Sequence, residues 1–398
     1  MFARYFGAGL AMDAFFVAFK IPNFMRRLFA EGAFSQGFIP VLSEYKVKRE
    51  QAEVKTLVSR VMGTLGIVLL VLTLAGLLIL PPLFDWIGNS WFVGEEREKF
   101  LLAGDLIVWT LPYIFFISLT ALVSGVLNTY QIFALPAFAP VLLNIVLIGA
   151  AIGFAYALDN PVMALAVGVF VAGVVQLLFL LPALYRLRLL AVPVWGWAHE
   201  GVKRIVKLMI PAIFGASVVQ INLMIDTAIA FLLVSGSVSW LYFSDRLVEF
   251  PLGIFGIALS TVLLPGLSKR FAANDQEQFS RLLDWGLRWA VLIGLSSATG
   301  LFVLAAPLIT TMFGYDAFTL HSIEMTSLSL MAYAFGLPAF IFVKVLAPGF
   351  FSRQDTSSPV RAAVAAMIVN VTLNLIFVIA LLQIDFNGVH AGLALATS

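Results

Sequence analysis

The sequence predicts an all-α fold, a polytopic transmembrane helix bundle, and three observations carry that reading. Of its 398 residues 61% are hydrophobic and only 12% charged, against about 45–50% and about 25% in a soluble domain. Mean hydropathy is +1.01. Apolar runs also recur along the whole chain, each near the ~20 residues that a helix needs to cross hydrocarbon. So little charge cannot cover a water-soluble particle of this size. A soluble enzyme, a disordered chain and a free nucleic-acid-binding protein are therefore excluded. The absence of cysteine removes disulfides, Cys-ligated zinc, iron–sulfur clusters and thiol catalysis. His199, His321 and His390 fall outside or at the edge of apolar runs, which leaves little for a buried metal centre.

Taken in order, the runs cover about 10–30, 56–84, 100–127, 136–157, 161–185, 205–233, 238–266, 284–313, 322–350 and 360–383. A further run begins near Gly388 and continues to Ser398. No charged, apolar and small-residue cleavage pattern opens the chain, so no removable signal peptide is read. The chain enters a span almost at once and stops inside another, so a bundle truncated at both ends is expected.

The connections alternate in charge. Lys46, Lys48, Arg49, Lys55 and Arg60 follow the first run, and Arg186, Arg188, Lys203, Arg204 and Lys207 follow the fifth. Lys269, Arg270, Arg281 and Arg288 follow the seventh, and Arg353 and Arg361 the ninth. The intervening connections carry only Arg97 and Lys99, in a stretch with Glu95, Glu96 and Glu98 that reads as a solvated outer loop. Short loops rich in Lys and Arg stay in the cytoplasm, so the informative loops agree on one topology, with the first run starting outside. An outside start without a leader implies a missing preceding helix or an unusual topology.

Sliding the chain against itself by 226 residues places Leu111-Pro112 on Leu337-Pro338 and Asn144 on Asn370. At 225, Pro40-Val-Leu-Ser43 meets Pro265-Gly-Leu-Ser268. The near-constant offset is better evidence than any single match. Two copies of an even number of spans face the same way, giving a parallel repeat and two pseudo-symmetric lobes around a cavity, as in transporters. The expected N-lobe is residues 1–190 and the expected C-lobe residues 191–398.

Several charges lie where hydrocarbon would charge about 2.5–3.5 kcal/mol for each. In the first run Asp13, Lys20, Arg27 and Glu31 share one stripe at helical spacing, opposite Phe15, Phe16 and Phe19. Arg26 lies off that stripe, but Pro22 is expected to kink the helix before it. Arg26 and Arg27 also read as residues snorkelling to the interface, which cannot account for Asp13 or Lys20. Arg246 and Glu249, three apart, are neighbours on one face; they read either as a self-neutralising structural pair or as part of a cavity. Lys344 sits within Phe340-Ile-Phe-Val-Lys-Val-Leu. Asp226 shares a face with Asn222, and Asn370 lies one turn from Asn374. Such oxygen-only groups suit a hard cation, or interhelical hydrogen bonds. Glycines such as Gly253 and Gly256 are expected at close helix contacts. No phosphate-binding loop, zinc-peptidase or nucleophile-elbow motif is present.

Gly7-Ala-Gly9 leading into Asp13-Ala-Phe-Phe-Val-Ala-Phe-Lys20, Pro22-Asn23 and Arg26-Arg-Leu-Phe-Ala-Glu31-Gly-Ala-Phe-Ser-Gln36 resembles the signature of the MurJ/MviN family. These are the lipid II flippases of the MOP exporter superfamily. Gly236-Ser-Val-Ser-Trp240 through Asp245-Arg-Leu-Val-Glu249-Phe-Pro, and Lys344-Val-Leu-Ala-Pro-Gly-Phe into Ser352-Arg-Gln-Asp355, resemble it too. The resemblance covers essentially the whole chain. It implies a MOP/MATE-like arrangement of fourteen helices, of which this chain would lack the first, most of the twelfth and the last two. It implies a substrate cavity lined by Asp13, Lys20, Arg26, Glu31, Arg246 and Glu249, to which the charged stripe of the first run adds Arg27 as a candidate substrate-binding residue. It also implies a sodium site, found in some members, at Asp226, Asn370 and Asn374.

On this reading the partners are lipid II and the bilayer, in a monomeric multi-pass protein of the bacterial inner membrane that serves peptidoglycan biosynthesis. No cofactor is expected beyond sodium as a coupling ion. The lipid's pyrophosphate would be held by paired arginines, which donate charge-assisted hydrogen bonds, while carboxylates hold those arginines when no lipid is bound. No bond is made or broken, so no enzyme is expected. The competing readings are another exporter of the superfamily, for drugs and cations or for polysaccharide lipids, and a polytopic enzyme acting on polyprenyl phosphates.

Overall fold

The computed structural model describes residues 1–27, 34–153, 158 and 160–398, with backbone alone at 35, 212, 214–216, 218 and 219. Among the described residues the regular structure is helical throughout. In chain order the helices are α1 (Phe2–Phe6), α2 (Leu10–Arg26), α3 (Phe34–Lys48), α4 (Gln51–Trp91), α5 (Gly94–Thr110), α6 (Tyr113–Thr129), α7 (Ala134–Gly153) and α8 (Met163–Arg186). There follow α9 (Glu200–Leu232), α10 (Ser237–Pro251), a π-helical turn (Leu252–Gly256), α11 (Ile257–Ala272), α12 (Gln276–Val303), α13 (Ala305–Phe313), α14 (Leu320–Phe351), α15 (Ser357–Gln383) and α16 (Val389–Thr397). Eight helical stretches among the described residues are long and apolar enough to cross a membrane. They expose large apolar side chains such as Leu70, Val71, Leu72 and Leu78 on α4, as a lipid-facing surface requires.

The boundaries depart from the apolar runs for local reasons. The third run is interrupted at Leu111-Pro112, between α5 and α6, where proline cannot donate to the preceding turn. The basic stretch after the first run is itself helical: Lys46 and Lys48 close α3, and Lys55 and Arg60 lie in α4. Hydropathy marks where a helix enters hydrocarbon, whereas the helix continues into water. α2 runs unbroken through Pro22.

The chain packs as two compact units, Leu10–Gln220 and Met1–Gly9 with Ile221–Ser398. This division by packing falls within α9, while the expected lobes divide by sequence offset. In the Leu10–Gln220 unit, Phe34, Phe38, Leu42, Leu57, Val58, Leu122, Val126, Leu184 and Ile205 form a buried core. Gln176, 1% exposed, joins three helices there: its Oε1 accepts from the Tyr113 hydroxyl at 3.2 Å and its Nε2 donates to Ala139 O at 2.9 Å. Satisfying a buried amide on both sides avoids a cost of about 1–3 kcal/mol and fixes how α6, α7 and α8 meet. Thr110 Oγ1 donates to Ala18 O at 2.9 Å, holding α5 against α2.

In the other unit α14 is the central helix, with α10, α11, α12, α13 and α16 packed around it. A Cβ at Gly294 of α12 would lie 2.9 Å from Pro338 Cα, so only glycine allows α12 this close to α14. Gly253 meets no such neighbour, whereas Gly256 packs on the Lys344 side chain. The expectation of tight helix contacts therefore fails at Gly253. Trp240 packs its ring against His390 and His321, and His390 Nε2 lies 2.9 Å from Met325 O. α1 is fastened to this same unit, with Arg4 Nε donating to Asp316 Oδ2 at 2.6 Å and Ala317 N to Arg4 O at 3.2 Å.

Candidate functional site

Each unit carries its own set of charged and polar side chains on apolar helices. In the Met1–Gly9 and Ile221–Ser398 unit, α10 presents Tyr242, Asp245, Arg246 and Glu249 on successive turns. Arg246 Nη1 donates to Glu249 Oε2 at 2.7 Å, and its Nη2 lies 3.9 Å from Asp245 Oδ2. The guanidinium lies 4.8 Å from the centre of the Tyr242 ring. Arg246, Asp245 and Glu249 side chains are each 45% exposed, so this group lies open rather than sealed in the packing. An ion pair this exposed stabilises by about 0–1 kcal/mol, little enough for an incoming anion to displace Glu249. Tyr242 was absent from the sequence reading, although it lies four residues before Arg246 and so on the same helical face. Directly after α10 comes the π-helical turn, whose last residue, Gly256, packs against the aliphatic stem of Lys344.

A second group in the same unit joins α9, α15 and α16. Asn374 Nδ2 donates to Asp226 Oδ1 at 2.6 Å and to Asn370 Oδ1 at 3.0 Å. Asn370 Nδ2 donates to Thr397 Oγ1 at 3.2 Å. Asn374 is fully buried and Asn370 7% exposed. The amide oxygens Asn374 Oδ1 and Asn222 Oδ1 are buried without a hydrogen-bond partner among the described residues. Asp226 and the Asn370, Asn374 pair, far apart along the sequence, are thus brought together through Asn374. Thr397 is a further member that the sequence reading missed, because a lone threonine in an apolar helix gives no signal.

In the Leu10–Gln220 unit, α2 carries Asp13, Lys20 and Arg26, and Arg27 follows directly after its last residue. Asp13 is fully buried in the first turn of α2; Lys20, Arg26 and Arg27 are half-buried. Arg26 donates to Asn23 Oδ1 from both Nε and Nη2 at 3.0 Å, a bidentate hold within one helical turn. Glu31 lies outside the described residues. The outer Glu95–Glu98 run is solvent-facing at Glu95, Arg97 and Glu98 but forms the first turn of α5 rather than a loop, and Lys99 directly after it is fully buried in an ion pair with Glu96. A buried ammonium requires such a partner, and the i,i+3 spacing provides it.

Comparison with known proteins places the chain in a family. The profile of the family described as lipid II flippase MurJ matches residues 2–398. A probable lipid II flippase MurJ of Vibrio cholerae is 46% identical over 401 residues, covering 100% of this chain and 75% of the relative. The lipid II flippase MurJ of Burkholderia cenocepacia is 44% identical, covering 95% and 74%. Among solved structures, a lipid II flippase MurJ in an inward closed conformation superposes with a TM-score of 0.82 at 27% identity, covering 100% of this chain and 80% of that one. An inward-facing multidrug resistance MATE transporter of the MOP superfamily gives a TM-score of 0.71 at 15% identity, covering 98% and 90%, which speaks for the fold alone. With a family match across nearly all of its length and relatives of this identity, the chain belongs to the lipid II flippase MurJ family.

Proposed function

We infer that this chain moves lipid II, the undecaprenyl-pyrophosphate-linked peptidoglycan precursor, from the inner to the outer leaflet of the bacterial inner membrane. The observation that carries the reading is the family match over residues 2–398. The chain is a multi-pass membrane transporter and not an enzyme, so its residues bind, orient and release rather than react.

At the level of residues, we propose that Arg246 receives the pyrophosphate. Its planar fork matches two phosphate oxygens, and Glu249 and Asp245 hold it in the absence of lipid. Exchange of carboxylate for phosphate keeps the guanidinium paired throughout, so its desolvation is never uncompensated. Asp13, Lys20, Arg26, Arg27 and Glu31 are the proposed counterpart of the first lobe, residues 1–190, and Arg246 and Glu249 belong to the second, residues 191–398. The transporter is proposed to act as a monomer by alternating access.

A coupling cation is the second part of the proposal, and sodium fits the donor set. Asp226 supplies one carboxylate, Asn370, Asn374 and Thr397 supply neutral oxygens, and the buried Asn374 Oδ1 lacks a partner among the described residues. Hard cations prefer such oxygens. The cation would neutralise Asp226 and tie α9, α15 and α16 together. Reconstituted vesicles carrying labelled lipid II test the function: the full-length protein should expose the label to the opposite leaflet without converting the lipid. Chemical turnover of lipid II without leaflet exchange would overturn the flippase reading.

A further inference from the structure

Between α8 and α9 the chain forms an extended strap, and its position is unusual for a loop. Val194 N donates to Ser59 O at 3.2 Å, Ser59 Oγ to Val192 O at 2.5 Å, and Gly196 N to Thr64 Oγ1 at 3.0 Å. The segment therefore lies along α4, which satisfies Val192 O, Val194 N and Gly196 N. The fit is close: a Cβ at Gly63 would lie 2.3 Å from Val194 O, and one at Gly196 would lie 2.4 Å from Arg60 Cβ. Yet the strap's large side chains point away. Val192 is 80% exposed and Val194 51%, while Trp195 and Trp197, 52% and 49% exposed, stack with ring centres 6.2 Å apart and planes 14° apart.

A surface loop that anchors its backbone while presenting Val, Val, Trp and Trp outward leaves apolar area that water would penalise at about 25 cal/mol per Å². Three features name what covers it. The strap ends where the lipid-facing surface of α4 begins: Thr64 and exposed Ile67 are three residues apart, about 4.5 Å along the helix axis. Arg60, Lys203, Arg204 and Lys207 flank it, the pattern of a cytoplasmic boundary facing anionic headgroups. Tryptophan, with an apolar ring and one N–H donor, partitions to that boundary.

We propose that residues 190–198 form an interfacial strap, with Trp195 and Trp197 inserted together at the headgroup–acyl boundary of the cytoplasmic leaflet. α9 begins at Glu200, three residues after Trp197, so the strap sets the depth at which that helix enters the membrane. The occupant of this surface is the bilayer.

The cysteine-free sequence makes the test direct. Trp195→Cys and Trp197→Cys in the full-length protein are each labelled with a nitroxide in phosphatidylethanolamine–phosphatidylglycerol vesicles, with Lys203→Cys as the aqueous control. Accessibility to oxygen relative to a water-soluble nickel chelate should be several-fold higher at both tryptophan positions than at the control. The unlabelled protein gives a second readout. Lipids brominated near the top of their acyl chains should quench wild-type fluorescence by a larger fraction than that of the Trp195→Phe, Trp197→Phe double variant. Labels as open to the nickel chelate as at position 203, or equal fractional quenching of the two proteins, would overturn the proposal.

Discussion

Asn374 donates to Asp226 Oδ1 at 2.6 Å while its own Oδ1 stays buried without a partner among the described residues. The amide thus serves the carboxylate with its nitrogen and leaves an oxygen unused, an arrangement that costs about 1–3 kcal/mol for the unmet acceptor. A hard cation among Asp226, Asn370, Asn374 and Thr397 would make use of that oxygen. The first prediction follows. At fixed pH and membrane potential, lipid II transport by the full-length protein should rise with sodium, and Asp226→Asn should lose that dependence. Transport that ignores sodium but still responds to pH through Asp226 would leave a proton as the coupling ion.

Asn374→Asp extends the same reasoning. A second carboxylate beside Asp226 repels it unless a cation lies between them. The sodium concentration for half-maximal transport should fall several-fold in Asn374→Asp and rise in Asn374→Leu. An unchanged sodium dependence in both variants would remove Asn374 from the cation site.

Arg246 carries the sharpest prediction for the lipid. Arg246→Ala should insert normally and lose transport. Arg246→Lys keeps the charge but loses the planar fork, so it should transport well below wild type. Full activity in the lysine variant would reduce Arg246 to a point charge. Wild-type transport in Arg246→Ala would sink the phosphate-receptor role altogether.

The bundle was legible because the bilayer imposes one rule, a run of about 20 apolar residues per span, and charge imposes another. Arg246 with Glu249 was legible because i,i+3 spacing alone makes them neighbours. Asp226, Asn370 and Asn374 stood out as polar groups in apolar helices, but only folding could show that Asn374 bridges the other two across 148 residues. Lys99 misled, because a Glu-rich stretch reads as solvent-facing while its lysine stem packs inward. Hydropathy averages cannot separate those outcomes. The π-helical turn after Pro251 left no trace in periodicity, since one extra residue per turn is lost within a long apolar run.

Tyr242 is expected to matter through its ring and not through its hydroxyl. A cation–π contact at an open site contributes about 0.5–1 kcal/mol. Tyr242→Phe should transport close to the wild-type rate, and Tyr242→Leu about two- to fivefold more slowly. A Tyr242→Phe variant as impaired as Tyr242→Leu would instead assign the role to the hydroxyl.

His199 yields a pH dependence whose sign can be worked out. It precedes α9, and Gly201 N donates to its Nδ1 at 3.2 Å, so the ring must be unprotonated at that nitrogen to cap the helix. Burial, and then the positive charge of Arg60, push its pKa below the ordinary 6.5, while Glu200 opposes them. A histidine with a lowered folded-state pKa contributes stability that is fully present above 6.5 and is lost as pH falls through the folded value. The first turn of α9 should therefore loosen under mild acid. Hydrogen exchange at residues 201–205, corrected for intrinsic rates, should be several-fold faster at pH 5.5 than at pH 7.5. His199→Asn offers an acceptor that does not titrate, so it should keep the protection at both pH values. Equal protection of the wild-type turn at both pH values would show that His199 does not cap α9.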